Sequence, residues 1–113
     1  MVKIIDSGFG SITIDGKRYN HDVWVFTDGS VEERRGGYHT FLSEEVQALL
    51  KGDPYTIIIG TGTAGCVRIE GAAKRLAERK GIELVDCITS NAIEKYNQLA
   101  SKVKVAAAFH VTC

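Results

Sequence analysis

The residues best placed to do chemistry are Gly60-Thr61-Gly62-Thr63-Ala64-Gly65, a GxGxxG run directly after the apolar stretch Tyr55 to Ile59. Between a strand and a helix, such a run makes a tight turn, lets a pyrophosphate approach the backbone and aims it at the positive end of the helix. Asp86 follows about 20 residues later, at the end of the next apolar run, where the dinucleotide fingerprint places a carboxylate for a ribose hydroxyl. Against a dinucleotide stands length, because the chain beyond Gly65 has room for one mononucleotide-type half only. A P-loop is excluded, since Cys66-Val67 stand where its lysine and hydroxyl are needed. Two further readings of the glycines stay open: a nest of outward N–H groups for a small anion, and a sharp strand-to-helix turn packed tightly on its neighbours.

Cys66 adjoins the expected helix start, where the dipole would lower its thiol pKa and make a nucleophile conceivable. No local motif pairs it with His21, His39 or His110, and each histidine reads as structural. No spacing suggests a metal site, no acid and base pair is evident, and no cofactor is implied, so the sequence leans away from an enzyme.

The elements that must position these residues follow from patterning. Ile12 and Ile14 alternate with polar neighbours before Asp15-Gly16, a hairpin turn, with Asp22 to Thr27 as the returning strand. Val23-Trp24-Val25-Phe26 is apolar on both faces, which predicts cover on two sides. Val31 to Arg35 reads as an edge strand kept soluble by Glu32, Glu33, Arg34 and Arg35. Ser43, as N-cap before Glu44 and Glu45, opens a short helix that Gly52 and Pro54 stop. From Tyr55 the order is strand, helix, strand, helix, strand: an apolar run to Ile59, a helix with Ile69, Ala72, Ala73 and Leu76, a strand from Ile82 to Cys87, and a helix capped near Thr89 to Asn91. Asn91 with Glu94 suits a capping box, and alanine-rich Val105 to Phe109 reads as a last central strand that helices approach closely.

Right-handed crossovers with parallel strands would bring the loops at 60–66 and 86–91 to one side of the sheet. That edge is the candidate ligand-binding site: Gly60, Thr61, Gly62, Thr63, Gly65, Cys66, Arg68, Thr89, Ser90 and Asn91, mostly neutral hydrogen-bonding groups with Arg68 supplying charge.

Composition sets the remaining bounds. The 113 residues read as one domain, 1–113, with 44% apolar residues to form a core. Fourteen basic and fourteen acidic residues cancel, which argues against nucleic acid and against an anionic membrane surface. Three well-separated cysteines suggest reduced thiols and a cytoplasmic setting, Met1 to Gly10 lacks the apolar core of a signal peptide, and no run approaches a membrane span.

The hairpin Phe9-Gly10 to Gly16 with Tyr19, His21 and Asp22, then Asp28-Gly29, Gly60-Thr61-Gly62 after the isoleucines, and Thr89, Ala92, Tyr96-Asn97 and Leu99 leading to Val105-Ala106-Ala107-Ala108 resemble the Mth nine-three-eight domain family. Its relatives include the adipogenesis-associated domain protein and a mitochondrial complex I assembly factor. The chain departs from the family pattern at Arg34-Arg35 and in the tail Phe109-His110-Val111. The resemblance covers nearly the whole chain and implies an α/β fold of three layers around a mixed central sheet, with the final strand internal. It implies no reaction and no catalytic residues, while the assembly role of the mitochondrial relatives implies protein contacts. The expectation is therefore a non-enzymatic protein-binding or assembly module. The alternative is a small-ligand or anion-binding protein, with or without catalysis, using the Gly60 to Gly65 loop edge.

Overall fold

Val23 to Phe26, Ile57 to Ile59 and Val105 to Phe109 are buried along their whole length, so all three strands need cover on both faces. The computed structural model, which describes residues 3–6 and 8–113, supplies it. Met1, Val2 and Ser7, part of the N-terminal stretch read above for a leader, lie outside the described residues.

The chain runs β1 (Ile4–Asp6), β2 (Ile12–Ile14), β3 (Lys17–Tyr19), β4 (Val23–Val25), β5 (Val31–Glu33), β6 (Thr40–Phe41), α1 (Ser43–Leu49), β7 (Thr56–Gly60), β8 (Arg68–Ile69), α2 (Gly71–Arg79), β9 (Glu83–Cys87), α3 (Thr89–Leu99) and β10 (Val105–Phe109). The central sheet has the order β5-β4-β10-β7-β9. β10 is internal, parallel to β7 and antiparallel to β4, and β7 is parallel to β9. The sheet is therefore mixed, as the resemblance implied.

Strand alternation divides the interior into two cores. Val23, Val25, Ile58, Val105, Ala107 and Phe109 face α3 and the small β1-β2-β3 sheet, meeting Ile12, Ile14, Ala92 and Tyr96. Trp24, Phe26, Ile57, Ile59, Ala106 and Ala108 face α1 and α2, meeting Val46, Leu49, Ala73 and Ala77. The alanines of β10 let both outer layers approach the middle of the sheet, where bulkier residues would hold them off. Burial of each isoleucine of β7 is worth about 1.5–3 kcal/mol, which fixes this strand as the spine of the fold.

Several sequence expectations are corrected. Asp15-Gly16, with φ of 50° and 82°, makes the predicted hairpin turn, but the strand returning from it is Lys17–Tyr19, paired with β2. A two-residue turn fixes the register at once, whereas Val23–Val25, apolar on both faces, leaves for the two-sided central sheet. The glycine run does not open a helix either. Val67 is buried and Arg68–Ile69 pairs with Thr40–Phe41, which keeps the backbone extended and delays α2 to Gly71. In α1 the N-cap is Leu42 in place of Ser43, with the Glu45 carboxylate accepting the Leu42 N–H at 3.0 Å. Helix α3 starts at Thr89 with Ile88 as N-cap, three residues too early for an Asn91 and Glu94 capping box.

Candidate functional site

β7, β9 and β10 are parallel, so the segments that follow them leave from one edge of the sheet. The loop after β7, the start of α3 and the C-terminal tail meet there, which places the two predicted loops side by side. Thr89, buried at the start of α3, is the pin: its Oγ1 accepts the Gly62 N–H at 2.9 Å and donates to the His110 carbonyl at 2.7 Å.

The glycine loop holds the chain's own tail. Thr63 N–H donates to Thr112 O at 2.8 Å, and Ala64 and Cys66 N–H both donate to Cys113 O, at 3.0 and 3.1 Å. Thr61 N–H reaches Cys87 O, and the amides of Gly65 and Val67 close back on Gly62 O and Thr61 O. Every N–H from Thr61 to Val67 thus has a partner within the chain. Gly62 is required twice over. Its φ is +106°, and a Cβ there would overlap the Cys113 backbone and come within 2.8 Å of the His110 ring.

Gly60, Thr61, Gly62 and Thr89 are buried in this junction, while Thr63, Gly65, Cys66 and Ser90 are exposed on its rim. Arg68 lies exposed on β8, and Asn91 lines a separate cleft of about 290 Å³ with Cys87, Glu94 and Lys95. Asp86 is exposed on β9, paired with Ile59, and the helix that would aim a pyrophosphate begins only at Gly71. Cys66 consequently has no helix dipole behind it. The neighbouring Cys113 thiol, more than desolvation, raises its pKa.

Beneath the tail lies a chain of charges that sequence reading missed. Asp22, just before β4, accepts from His110 Nδ1 at 2.7 Å, from the Val111 N–H at 2.9 Å and from Arg34 Nη1 at 2.8 Å. Arg34, expected on the solvent side of the edge strand, has a side chain only 3% exposed. It forks onto the fully buried Glu45 carboxylate and also donates to the Tyr38 and Thr40 carbonyls. Glu45 further accepts the Trp24 indole N–H at 3.0 Å. Burial pulls the Arg34 pKa down, but the hydrogen bond and charge of Glu45, then those of Asp22, outweigh it and raise the value. Gly36 belongs to this network, because a Cβ there would overlap the Glu45 carboxylate.

On the far side of His110 sit Tyr38, stacked on His39 at 4.2 Å, and the Cys113 thiol, 3.3 Å from His39 Nε2. Thr112 Oγ1 is 3.1 Å from His110 Nε2. Polarity of residue type was the only sequence signal for these groups, since the partners are far apart in the chain. A cleft of about 240 Å³ lined by His21, Asp22, Glu33, Arg34, Gly36 and Tyr38 opens beside them. A cleft of about 470 Å³ lies by Val105 at the other end of the sheet. Its Asp28 is already bound by the N–H and hydroxyl of Ser30, which lower its pKa.

The fold and this junction define a class: a small three-layer α/β protein whose glycine turn clamps its own tail over a buried ion-pair network. The chain belongs to the family described as protein of unknown function (DUF498/DUF598), whose model matches residues 4–110. It is similar to the conserved hypothetical protein PH1505 from Pyrococcus horikoshii OT3, with 30% identity, 98% of this chain and 99% of that one covered, and a TM-score of 0.89. It is also similar to MT938, at 33% identity over the full length of both chains and a TM-score of 0.84. A Mth938-like domain from Bordetella pertussis shares the fold at 17% identity and a TM-score of 0.74, with 96% of this chain and 85% of that one covered. The resemblance read from the hairpin and the isoleucine run is thereby established. Comparison with curated proteins finds no match. Among the described residues no helix is long and apolar enough to cross a membrane.

Proposed function

We propose that this chain is a non-enzymatic protein-binding module, and that its contact surface is the rim around the docked tail. One observation carries the reading: Phe9 is 71% exposed beside a cleft of about 120 Å³ lined by Gly8, Ser11, Thr63, Thr89, Ser90 and Val111. Ile88, 40% exposed, adds apolar surface next to Gly65 on the same edge. A phenylalanine left in water forgoes about 1.5–3 kcal/mol of burial, and aromatic anchors beside small clefts are where protein interfaces concentrate their binding energy.

Two features favour this over an anion site or catalysis at the same edge. The loop amides that would hold an anion are engaged with the tail, so an anion would have to displace Thr112 and Cys113. Asp22 accepts three hydrogen bonds and His110 is 1% exposed, so the one carboxylate–imidazole pair here is used within the fold.

The test is quantitative capture from native lysate with three proteins: wild type, Phe9→Ser, and Tyr55→Ser. Tyr55 is also exposed but lies at the opposite end of β7. A partner recovered by wild type and Tyr55→Ser but lost with Phe9→Ser is expected. No reproducible partner, or one indifferent to Phe9, would refute the reading.

A further inference from the structure

The cluster behind the tail holds a donor set that the protein-binding reading does not use. We propose that His39, His110 and Cys113 form a zinc-binding site that staples the C-terminal tail to the link after β5. His39 comes from that link, His110 directly follows β10 and Cys113 comes from the tail. One ligand atom from each lies within 4.8 Å of the other two. Four-coordinate zinc, with bonds of about 2.0–2.3 Å to nitrogen and sulfur, needs its ligands roughly 3.3–3.6 Å apart. The Cys113 Sγ to His39 Nε2 separation of 3.3 Å already meets that spacing. His39 and Cys113 are half-buried, on irregular backbone, and can close the remaining gap by side-chain rotation.

The orientation of His110 is the second observation. A carboxylate can only accept, so the 2.7 Å contact to Asp22 makes Nδ1 the donor and leaves Nε2 of the neutral ring as the acceptor. Nε2 lies 3.1 Å from Thr112 Oγ1, and a nitrogen of this ring is within 4.8 Å of the His39 and Cys113 donors. A carboxylate holding one imidazole nitrogen so that the other presents its lone pair is the usual outer support of a histidine ligand. Arg34 and the Val111 amide lock Asp22 in turn, so the ring is fixed before any ion arrives. Two imidazoles and one thiolate suit zinc over magnesium or calcium, which prefer oxygen. Binding would release the Cys113 thiol proton and break the Thr112 hydrogen bond to Nε2. The fourth position falls to water, because Cys66 is not within common reach of the other three donors.

The proposal is tested by titrating the reduced, metal-free full chain with Co²⁺ and then displacing it with Zn²⁺. Expected are one equivalent of Co²⁺, a near-ultraviolet thiolate charge-transfer band, and visible absorption of tetrahedral strength that Zn²⁺ abolishes. Loss of an outer partner typically weakens metal binding 10–100-fold, so His39→Ala and Cys113→Ser should each weaken it by about 100-fold or more. His21→Ala, whose ring binds the Asp22 carbonyl, should leave binding unchanged. Both ligand variants remove half-buried side chains, and circular dichroism checks that they fold. Absence of saturable binding by wild type would overturn the site. So would a charge-transfer band that survives in Cys113→Ser and disappears in Cys66→Ser.

Discussion

Replacing Arg34 by alanine tests whether the ion-pair network beneath the tail is as buried as its geometry states. The guanidinium joins Asp22 to Glu45 and caps two backbone carbonyls. Without it, Glu45, which has no exposed side-chain surface, keeps only the Trp24 indole and Leu42 amide as partners for a full negative charge. Removing one member of a buried pair strands the other, at a cost of about 3–5 kcal/mol. For a domain of this size each kcal/mol moves the melting temperature by roughly 4 °C, so Arg34→Ala should melt about 12–20 °C lower. Arg35 is the internal control. It is exposed, pairs with Glu32 at 3.1 Å and lies 4.6 Å from the centre of the Trp24 ring, so Arg35→Ala should lose about 1 kcal/mol or less. Urea unfolding followed by fluorescence suits both variants, because the single tryptophan, Trp24, is bonded to Glu45. Equal, small losses for Arg34→Ala and Arg35→Ala would refute the burial argument.

Gly62→Ala combines a left-handed backbone with overlap onto Cys113, and the two effects together should destabilise by about 2–5 kcal/mol in the same assay. Gly81→Ala meets open space at φ +69° and should lose only about 1 kcal/mol. Burial, followed by the charge of Asp15, pushes the Tyr96 hydroxyl up to about 12 from an ordinary value of 10. The neutral form is favoured in the fold, so this contribution is complete below pH 10. It is lost between pH 10 and 12 as the unfolded chain ionises first, a fall of up to about 2 kcal/mol. Unfolding at stepped pH should show that decline in wild type, and a shallower one in Tyr96→Phe.

Patterning in the sequence reaches as far as local rules do. β7, β10 and the buried faces of α2 and α3 are legible because an apolar run or a helical repeat suffices to mark them. The shared edge of the two loops follows from crossover handedness. The central place of β10 is legible in its own alanine-rich run, whereas the mixing of strand directions around it, antiparallel to β4 and parallel to β7, follows only from the family resemblance. Arg34 reads as a solvent-facing charge because Asp22 and Glu45 are brought to it only by the fold. Cys66 to Ile69 reads as a helix start because the strand that holds it extended, Thr40–Phe41, is too short to show a period. His110 looks structural, and it is buried, but its pairing with Asp22 spans nearly the whole chain. The glycine run was the clearest signal of all, and its glycines serve tail docking, a use that no loop motif distinguishes from ligand binding.

The central claim is that the amides of the Gly60 to Gly65 loop hold the tail and leave the rim around it as the working surface. Amide hydrogen exchange by nuclear magnetic resonance reads this directly, with and without millimolar inorganic phosphate. Thr63, Ala64 and Cys66, although on exposed residues, should exchange slowly, as amides bonded to Thr112 and Cys113 carbonyls do, and their resonances should not move with phosphate. Fast exchange at all three, or phosphate shifts confined to Thr61 to Val67, would contradict the account and return the loop to the anion-binding reading.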